Sequence, residues 1–415
     1  MTAERICDGG ELEIGGGLDV LLSTVLRTLP ADARLDVLVD SRTAALEVPG
    51  WARLRGHEMA GEVAAAGGRW VVPLRRGRAS DVLAEPGGPV PPPPLRPGGR
   101  LSLADWRESV GEPPENAPAD AGLAPLGAVP ERGSPSYRWR LNQRDQVWTD
   151  TVGRLTERTR RAQWDATLDI PWDTVAGLSP DVGDAVGQVA TFLAQNEYAA
   201  FYVPARFMAE VNPRFPEVLM WLAGHVHDEA RHVEVFTKRA LMAGSGAYAL
   251  ASTELSLKTL LEEDDFSCSA LLLNVLGEGT FLDLLLFISD HAPDAAMATA
   301  ARLARRDERR HVAFGAGHLR HALTEDPDLE AELVASAERR AAKLAELSGL
   351  HPLVVESLTV MAARGTARTD LAEASAAVRS LRTRMETNRV RRLKAIGLSD
   401  PVARRLSDMH SPNLM

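Results

Sequence analysis

The sequence contains few cysteines, few aromatic residues and no excess of basic residues. Only two of its 415 residues are cysteines, Cys7 and Cys268, so no disulfide framework is implied and a reducing compartment is expected. Aromatic residues make up 5% of the chain, and 57 acidic residues against 47 basic ones give a formal net charge of −10. This balance argues against general nucleic-acid binding, which requires a basic surface.

The sequence also shows no pattern typical of a targeting or membrane-spanning segment. The N-terminal residues MTAERICDGGELEI contain no apolar signal core. The most apolar stretch, Leu271–Ile288, contains Glu278 and Asp283, and it is predicted to be a buried helix because such charges are costly inside a membrane. We therefore expect a soluble cytoplasmic protein that binds neither membranes nor nucleic acid.

Residues 1–76 have the pattern of a small α/β domain. Strands and amphipathic helices alternate, and Ala66-Gly67-Gly68 is a hairpin signal between the last two strands. The β-α-β-α-β-β order predicts a two-layer sandwich. The predicted elements are a strand within Glu11–Ile14, a helix over Leu18–Leu29, a strand at Leu35–Val39, a helix near Thr43–Leu54, and strands at Glu58–Ala65 and Arg69–Leu74.

The rest of the chain is predicted to be a linker followed by an all-α domain. Residues 77–138 are rich in proline and glycine and cannot build a core, apart from a short helical piece around Leu101–Val110. Residues 139–415 have helical periodicity throughout, which predicts a four-helix bundle with extra flanking helices. The predicted helices are Leu141–Ala166, Asp181–Glu210, Phe215–Ala243, Asp265–Asp290, Asp294–Leu323, Leu329–Leu347, Leu353–Ala363 and Asp370–Ala395.

One pattern occurs twice in the helical region: an isolated glutamate is followed about thirty residues later by the run Asp-Glu-x-Arg-His. The Glu and His of each run are three apart, so on a helix they project from one face. Carboxylates with imidazoles suit iron or manganese, and burying so many ionisable groups would be prohibitive without cations. The pattern predicts a dinuclear metal site inside the bundle, with the candidate ligands Glu197, Glu229, His232, Glu278, Glu308 and His311.

The other members of each run are predicted to support these ligands. Asp228 and Asp307 can accept the second N–H of a ligand histidine and fix its tautomer. If the two runs face each other, Asp228 pairs with Arg310 and Asp307 pairs with Arg231. A single Glu-x-x-His pair is commonly surface charge, but two copies with matching Asp, Arg and upstream glutamate favour the metal site.

The region from about residue 139 to 330 resembles the ferritin-like diiron-carboxylate superfamily of oxygenases and oxidases. The paired Glu…Asp-Glu-x-Arg-His pattern resembles the hydroxylase subunits of bacterial multicomponent monooxygenases, and Glu…Asp-Glu-x-x-His also resembles the arylamine N-oxygenases. These resemblances imply two iron ions that activate O2 and oxidise a small organic substrate. By position they also imply the same six residues as metal ligands.

The sequence departs from these families at several positions. The arylamine N-oxygenases have an additional histidine one turn before the second-run glutamate, where this chain has Ala304. His225 occupies the corresponding place in the first half, and it is an extra ligand, a hydrogen-bond donor to a ligand, or a core histidine. Ribonucleotide reductase small subunits have a radical-bearing tyrosine where this chain has Phe236, which disfavours a tyrosyl-radical role, and Tyr198 and Tyr202 are predicted to lie off the ligand face.

Two features near the ligands predict local irregularity. Gly277 and Gly279 bracket Glu278, and interior helical glycines cost about 1 kcal/mol each, which indicates either a π-bulge or close helix packing. Pro204, seven residues after Glu197, is predicted to kink or end its helix and to open a substrate channel.

Residues 4–76 resemble the TusA-like sulfur-carrier family in element order and in the pieces LEIGGGLDVLLSTVLRTLP and RWVVPLRR. In that family a cysteine at the start of the first helix carries a persulfide. This chain has no cysteine between Ile14 and Asp19, and Cys7 is predicted to precede the first strand. The resemblance therefore implies a degenerate domain that no longer transfers sulfur and serves in docking or regulation.

The expected function is a diiron oxygenase or oxidase with O2 as co-substrate and two Fe ions, while Mn/Fe or two Mn ions remain alternatives. A separate reductase is expected because no flavin or nicotinamide motif such as GxGxxG is present. The expected substrate is a small molecule, either free or bound to a carrier, and the sequence is compatible with a homodimer. The alternatives are a ferroxidase or iron-binding protein and a catalytically silent metal-binding scaffold. The basic residues between Arg379 and Lys394 are read as a solvated helix face or as a site for an acidic partner.

Overall fold

The computed structural model describes residues 5–77, 98–123, 137–175, 177–242, 250–346 and 350–410. The chain divides into two compact units, Met1–Pro92 and Pro93–Met415. Much of the predicted linker, residues 78–97 and 124–136, lies outside the described residues. The helical piece predicted there is present as a helix over Leu103–Val110, whose N-terminus is closed by a capping box between Ser102 and Asp105.

The first unit is a mixed β-sheet with two helices. Strand β1 pairs in parallel with β2, β2 is antiparallel to β5, and β3 and β4 both pair with β5. Buried residues of both helices join the buried strand residues in one core. The elements are β1 (Arg5–Gly10), α1 (Leu18–Arg27), β2 (Arg34–Val39), α2 (Arg42–Leu54), β3 (Glu58–Met59), β4 (Ala64–Ala66) and β5 (Arg69–Arg75).

A small α/β sheet is therefore confirmed, but two details of its prediction are wrong. The first strand is Arg5–Gly10 instead of Glu11–Ile14, and Cys7 lies on it, buried. The strand was not predicted because glycines at its end disfavour a strand. Gly9 is nevertheless suited to its position, because an added Cβ would lie 2.6 Å from Leu18 Cδ1 of α1. The run predicted as one strand at Glu58–Ala65 is interrupted and forms β3 and β4. Burial, followed by Asp8, raises the pKa of the Cys7 thiol.

The second unit is helical. Its elements are α3 (Leu103–Val110), α4 (Val152–Arg161), α5 (Pro180–Met208), α6 (Pro216–Leu241), α7 (Ala251–Leu261), α8 (Phe266–Ala270), a π-helix (Leu271–Glu278), α9 (Gly279–His291), α10 (Ala295–Glu325), α11 (Leu329–Glu346), α12 (Pro352–Ala363), α13 (Arg368–Ala395) and α14 (Asp400–His410). Helices α5 and α6 pack along each other, and α10 packs on α9 and the π-helix. These elements form the predicted four-helix bundle, with apolar clusters on both sides of its middle.

Outside the bundle the helix predictions were less accurate. The helix predicted at Leu141–Ala166 is only α4, because the preceding residues form irregular backbone in which Leu141 N–H donates to the Glu210 carbonyl. Helices α7 and α14 were not predicted. Pro204 does not end its helix, since α5 continues to Met208.

The segment Phe266–His291 is the one described helix with the length and apolarity to cross a membrane. Its most apolar 18-residue window has a mean hydropathy of 1.8, but 83% of that window is buried inside the protein. This burial is the behaviour expected of a core helix.

Both alternatives for the two glycines apply, one to each glycine. Gly277 lies in the π-helix, where an added Cβ would be 3.4 Å from the Leu272 carbonyl oxygen. At Gly279 an added Cβ would be 2.6 Å from Nε of Arg392, so this glycine admits the close approach of α13. Glu278 is therefore the last residue of a π-helix, and the next residue, Gly279, lies directly against Arg392.

Candidate metal centre

The six predicted ligands converge in the interior of the bundle. Glu197 comes from α5, Glu229 and His232 from α6, Glu278 from the end of the π-helix, and Glu308 and His311 from α10. Each is at most 4% exposed, which places four carboxylates and two imidazoles in a water-poor interior. Together with His225, they form two groups of four residues, and the ligand atoms of each group lie within 4.8 Å of one another.

The first group contains Glu197, Glu229, His232 and Glu308. His232 is at its centre. Its Nδ1 atom is 3.2 Å from Glu229 Oε2, 3.4 Å from Glu308 Oε1 and 3.9 Å from Glu197 Oε2. Three carboxylates around one imidazole nitrogen are a donor set typical of iron or manganese.

The second group contains His225, Glu229, Glu278 and His311. Nδ1 of His311 is 2.9 Å from Glu229 Oε1, and Nε2 of His225 is 3.0 Å from Glu278 Oε1 and 3.4 Å from Glu229 Oε1. Glu229 thus belongs to both groups. Glu308 also approaches both predicted histidines, with 3.4 Å to His232 and 3.3 Å to His311. These two glutamates therefore lie against both groups of donors.

The electrostatics of the cluster fit metal ions. Burial, followed by the charges of Glu229 and Glu308, raises the pKa of Glu197 well above its usual value. Burial also raises the pKa of Glu308, with added effects of Glu229 and Glu278. Atom Oε1 of Glu197 and of Glu308 has no hydrogen-bond partner among the described residues. Unsatisfied buried carboxylate oxygens are costly, and a bound cation would satisfy them.

For the two histidines and Glu229, by contrast, the pKa shifts favour the charged form. Burial alone would lower the pKa of His232 and of His311, but neighbouring carboxylates outweigh it and raise both well above the usual value. Burial would likewise raise the pKa of Glu229, but His232, His225 and His311 lower it well below the usual value. Glu229 and the two imidazoles thus stabilise each other's charged forms.

The Asp and Arg residues of the two runs form a buried network behind the histidines. Nε2 of His232 is 3.4 Å from Asp307 Oδ2, and Nε2 of His311 is 3.4 Å from Asp228 Oδ2. Each histidine therefore directs Nδ1 at the carboxylate groups and Nε2 at an aspartate of the facing run. This arrangement favours the tautomer with the proton on Nε2 and leaves Nδ1 to bind an ion.

Both predicted cross-pairs are present in this network. Arg310 Nη2 is 2.9 Å from Asp228 Oδ2, and Arg231 Nη2 is 2.9 Å from Asp307 Oδ2. Each arginine also contacts the aspartate of its own run, at 2.7 Å for Arg310 and 2.5 Å for Arg231. Although burial opposes the effect, His311 and the two arginines lower the pKa of Asp228 well below its usual value, and Asp307 shifts in the same direction.

Sequence reasoning missed several residues of the network. Trp164 Nε1 donates to Asp307 Oδ2 at 2.6 Å, Gln163 Nε2 donates to Asp228 Oδ1 at 3.2 Å, and Arg310 Nε donates to Thr159 Oγ1 at 3.0 Å. The three residues Thr159, Gln163 and Trp164 lie on or just after α4. They are far from both runs in sequence, so no local signal marks them. Asn274, whose Nδ2 donates to Glu278 Oε2 at 2.7 Å, was recognisable from its position one turn before Glu278.

The structure places the remaining candidates as follows. His225 is buried within the second group and stacks on His311 at a ring separation of 3.8 Å. Ala304 and Phe236 are fully buried. Tyr198 and Tyr202 are about half exposed, at 52% and 53%, so they lie off the ligand face as predicted.

Two small cavities adjoin the site, one at its carboxylates and one at His225. One, of about 30 Å³, is lined by Glu197, Glu278 and Glu308 together with Leu257, Leu273 and Phe281. The other, of about 20 Å³, is lined by His225, Pro204 and mostly apolar side chains. A water molecule needs roughly 10–15 Å³ measured in this way, so each cavity has room for one or two waters or an O2 molecule.

Comparisons with known proteins give structural neighbours only. No protein-family model and no curated protein matches the chain. A variant of an R2-like ligand-binding oxidase with an aerobically reconstituted Mn/Fe cofactor aligns at a TM-score of 0.48 and 19% identity, covering 61% of this chain and 95% of that one. A variant with an Fe/Fe cofactor aligns at 0.47 and 18%, with the same coverage. The form without metal aligns at 0.43 and 20%, covering 60% of this chain and 96% of that one. At these scores the neighbours assign no activity to this chain.

Proposed function

We propose that this chain is an O2-dependent oxidoreductase with two metal ions, most simply two irons, held inside the four-helix bundle. The observation that carries the proposal is the pair of buried donor groups that share Glu229 and lie against Glu308. Two adjacent ions linked by carboxylates can reduce O2 and supply an oxidant for an organic substrate. Manganese in one or both positions is compatible with the same donors.

The chain's own residues have distinct roles in this proposal. Glu197 and His232 would hold one ion and Glu278 and His311 the other, while Glu229 and Glu308 lie against both donor groups. His225 would serve as a seventh ligand, since it belongs to the second donor group and its Nε2 atom lies 3.0 Å from Glu278 Oε1. The Asp and Arg network fixes the histidine tautomer and excludes water from the site.

The overall reaction requires a source of electrons outside this chain. Incorporating one oxygen atom of O2 into a substrate and releasing the other as water consumes two electrons and two protons. We propose a separate reductase as the donor. We propose hydroxylation or N-oxygenation of a small organic substrate as the reaction. The N-terminal unit, if it is a degenerate TusA-like domain, is proposed to serve in docking.

Oxygen consumption by the iron-loaded protein tests this proposal. Metal-free protein is loaded anaerobically with Fe²⁺ and then mixed with O2 in an oxygen electrode. We expect rapid uptake of O2 by the wild type and at least tenfold slower uptake by Glu229→Ala. Glu234→Ala is the matched control, since Glu234 is on the same helix and half exposed beside Lys238. Equal uptake by wild type and Glu229→Ala would contradict the proposal.

A ferroxidase or iron-binding role is the second candidate. It is favoured by the small size of both cavities, which at about 20 and 30 Å³ do not hold an organic molecule in this conformation. Size-exclusion chromatography and iron analysis distinguish the candidates. A large hollow oligomer that accumulates many irons per chain would favour iron storage, whereas a small oligomer that retains only two irons would favour the oxidoreductase.

A further inference from the structure

The metal centre has two chemically different sides. One small cavity is lined by Glu197, Glu278 and Glu308, and another is lined by His225. On the opposite side, Nε2 of both predicted histidines faces the buried network of Asp228, Asp307 and their arginines. That network is covered by α4 and the residues after it, through Thr159, Gln163 and Trp164.

The surface over this histidine side is basic. Helix α10 presents Arg302, Arg306 and Arg309 at spacings of four and three, which places them on one exposed stripe. The two acidic residues nearest in that helix, Asp307 and Glu308, are fully buried, and Asp307 already pairs with Arg231 and Arg310. Helix α4 adds exposed Arg158 and Arg161 in its last turn. We call these five residues the arginine patch.

Direct contacts join the two halves of the arginine patch and connect it to the network. Arg306 Nη2 donates to the carbonyl of Ala162, the residue after α4, at 2.6 Å, and its Nε is 3.8 Å from Asp307 Oδ1. Arg310, next to Arg309, reaches Thr159 of α4 and Asp228 of the network. A molecule bound on the patch is therefore separated from both histidines by little more than the buried aspartates and arginines.

We propose that the arginine patch is the docking surface for a small acidic electron-donor protein of the iron–sulfur or flavin type. This inference rests on the proposed function, which requires two electrons from outside the chain. The chain as a whole carries a net charge of −10, so an acidic donor is repelled from most of its surface and attracted at this patch. Each docked donor is oxidised by one electron, and two successive donors supply the two electrons needed.

A binding experiment on metal-free protein tests the surface without relying on activity. The probe is a small acidic [2Fe–2S] ferredoxin, titrated by calorimetry at low and moderate salt. We expect binding that weakens with salt, and at least a tenfold loss of affinity in the charge-reversal variant Arg158→Glu/Arg302→Glu/Arg309→Glu. The matched control reverses three exposed arginines of α13, Arg379→Glu/Arg382→Glu/Arg391→Glu, and is expected to bind normally. Equal losses in both variants, or none in the first, would overturn the proposal.

A second readout separates docking from the chemistry of the site. The iron-loaded, oxidised protein is reduced either by the reduced ferredoxin or by photoreduced deazaflavin, a small uncharged reductant. The patch variant should be reduced at least tenfold more slowly by ferredoxin and at the wild-type rate by deazaflavin. Slowing with both reductants would overturn the proposal, as would tighter, patch-dependent binding of a single-stranded oligonucleotide than of ferredoxin. Failure of O2 uptake alone would count against the proposed function and leave the binding result standing.

Discussion

Replacing Arg310 with methionine should destabilise the helical unit strongly. The guanidinium of Arg310 bonds Asp228 at 2.9 Å and Asp307 at 2.7 Å, and both aspartates are fully buried. Methionine keeps the aliphatic packing but removes one of the two arginines that pair with both buried carboxylates and leaves Arg231 as the other. Removing one partner of a buried ion pair costs about 3–5 kcal/mol. Because the entropy of unfolding scales with size at about 2.1 cal/mol/K per residue, roughly 1.5 °C per kcal/mol is expected for the unit Pro93–Met415, and Tm should fall by about 4–8 °C.

Differential scanning calorimetry of the metal-free protein measures this loss, and two further variants sharpen it. Arg309→Met is the matched control, because Arg309 is the exposed neighbour on the same helix, and its effect should stay within about 0.5 kcal/mol. Asp228→Asn combined with Arg310→Met removes one stranded charge, so the double variant should be more stable than the sum of the single effects by roughly 1–3 kcal/mol. Additive effects, or a loss below about 1 kcal/mol for Arg310→Met, would refute the reasoning.

Three other predictions concern metal binding and packing. Because neighbouring carboxylates raise the pKa of His232 and His311 well above the usual value, binding of Fe²⁺ should release protons and should tighten as pH rises. Calorimetry in buffers of different ionisation enthalpy measures this release, and buffer-independent heats would argue against it. His225→Ala should weaken one of two Co²⁺ sites by roughly 10–100-fold in an anaerobic titration, whereas His227→Ala, on the exposed face of α6, should leave both sites unchanged. Gly279→Ala places a Cβ 2.6 Å from Arg392 Nε and should cost about 1–3 kcal/mol in urea unfolding, against little effect of Gly365→Ala, whose added Cβ meets no atom within 4 Å among the described residues.

The bundle and the site's inner residues were predictable because their signals are local. Glu and His three apart on one helical face, repeated with an upstream glutamate, indicate which side chains can converge whatever the loops between them do. The cross-pairing of Asp228 with Arg310 followed from the same symmetry. The metal-ligand roles of the converging glutamates and histidines remain predictions.

The features that were not predicted from the sequence depend on contacts between distant segments. Trp164 and Gln163 reach the network only because irregular backbone after α4 folds back over α6 and α10, and no periodicity encodes that. Strand β1 was missed since its glycines oppose strand propensity, yet Gly9 is required by the packing of Leu18. The over-long helix predicted before α4 failed for a related reason, because hydrogen bonds from the backbone around Leu141 to the segment after α5 override its helical pattern.

The iron content of the protein after anaerobic loading and removal of loosely bound metal tests the central claim most directly. The account predicts two irons per chain for the wild type. It predicts fewer than one for Glu229→Gln/Glu308→Gln, because these two carboxylates contact both donor groups. A wild-type content of one iron or none, or an unchanged content in the double variant, would contradict it.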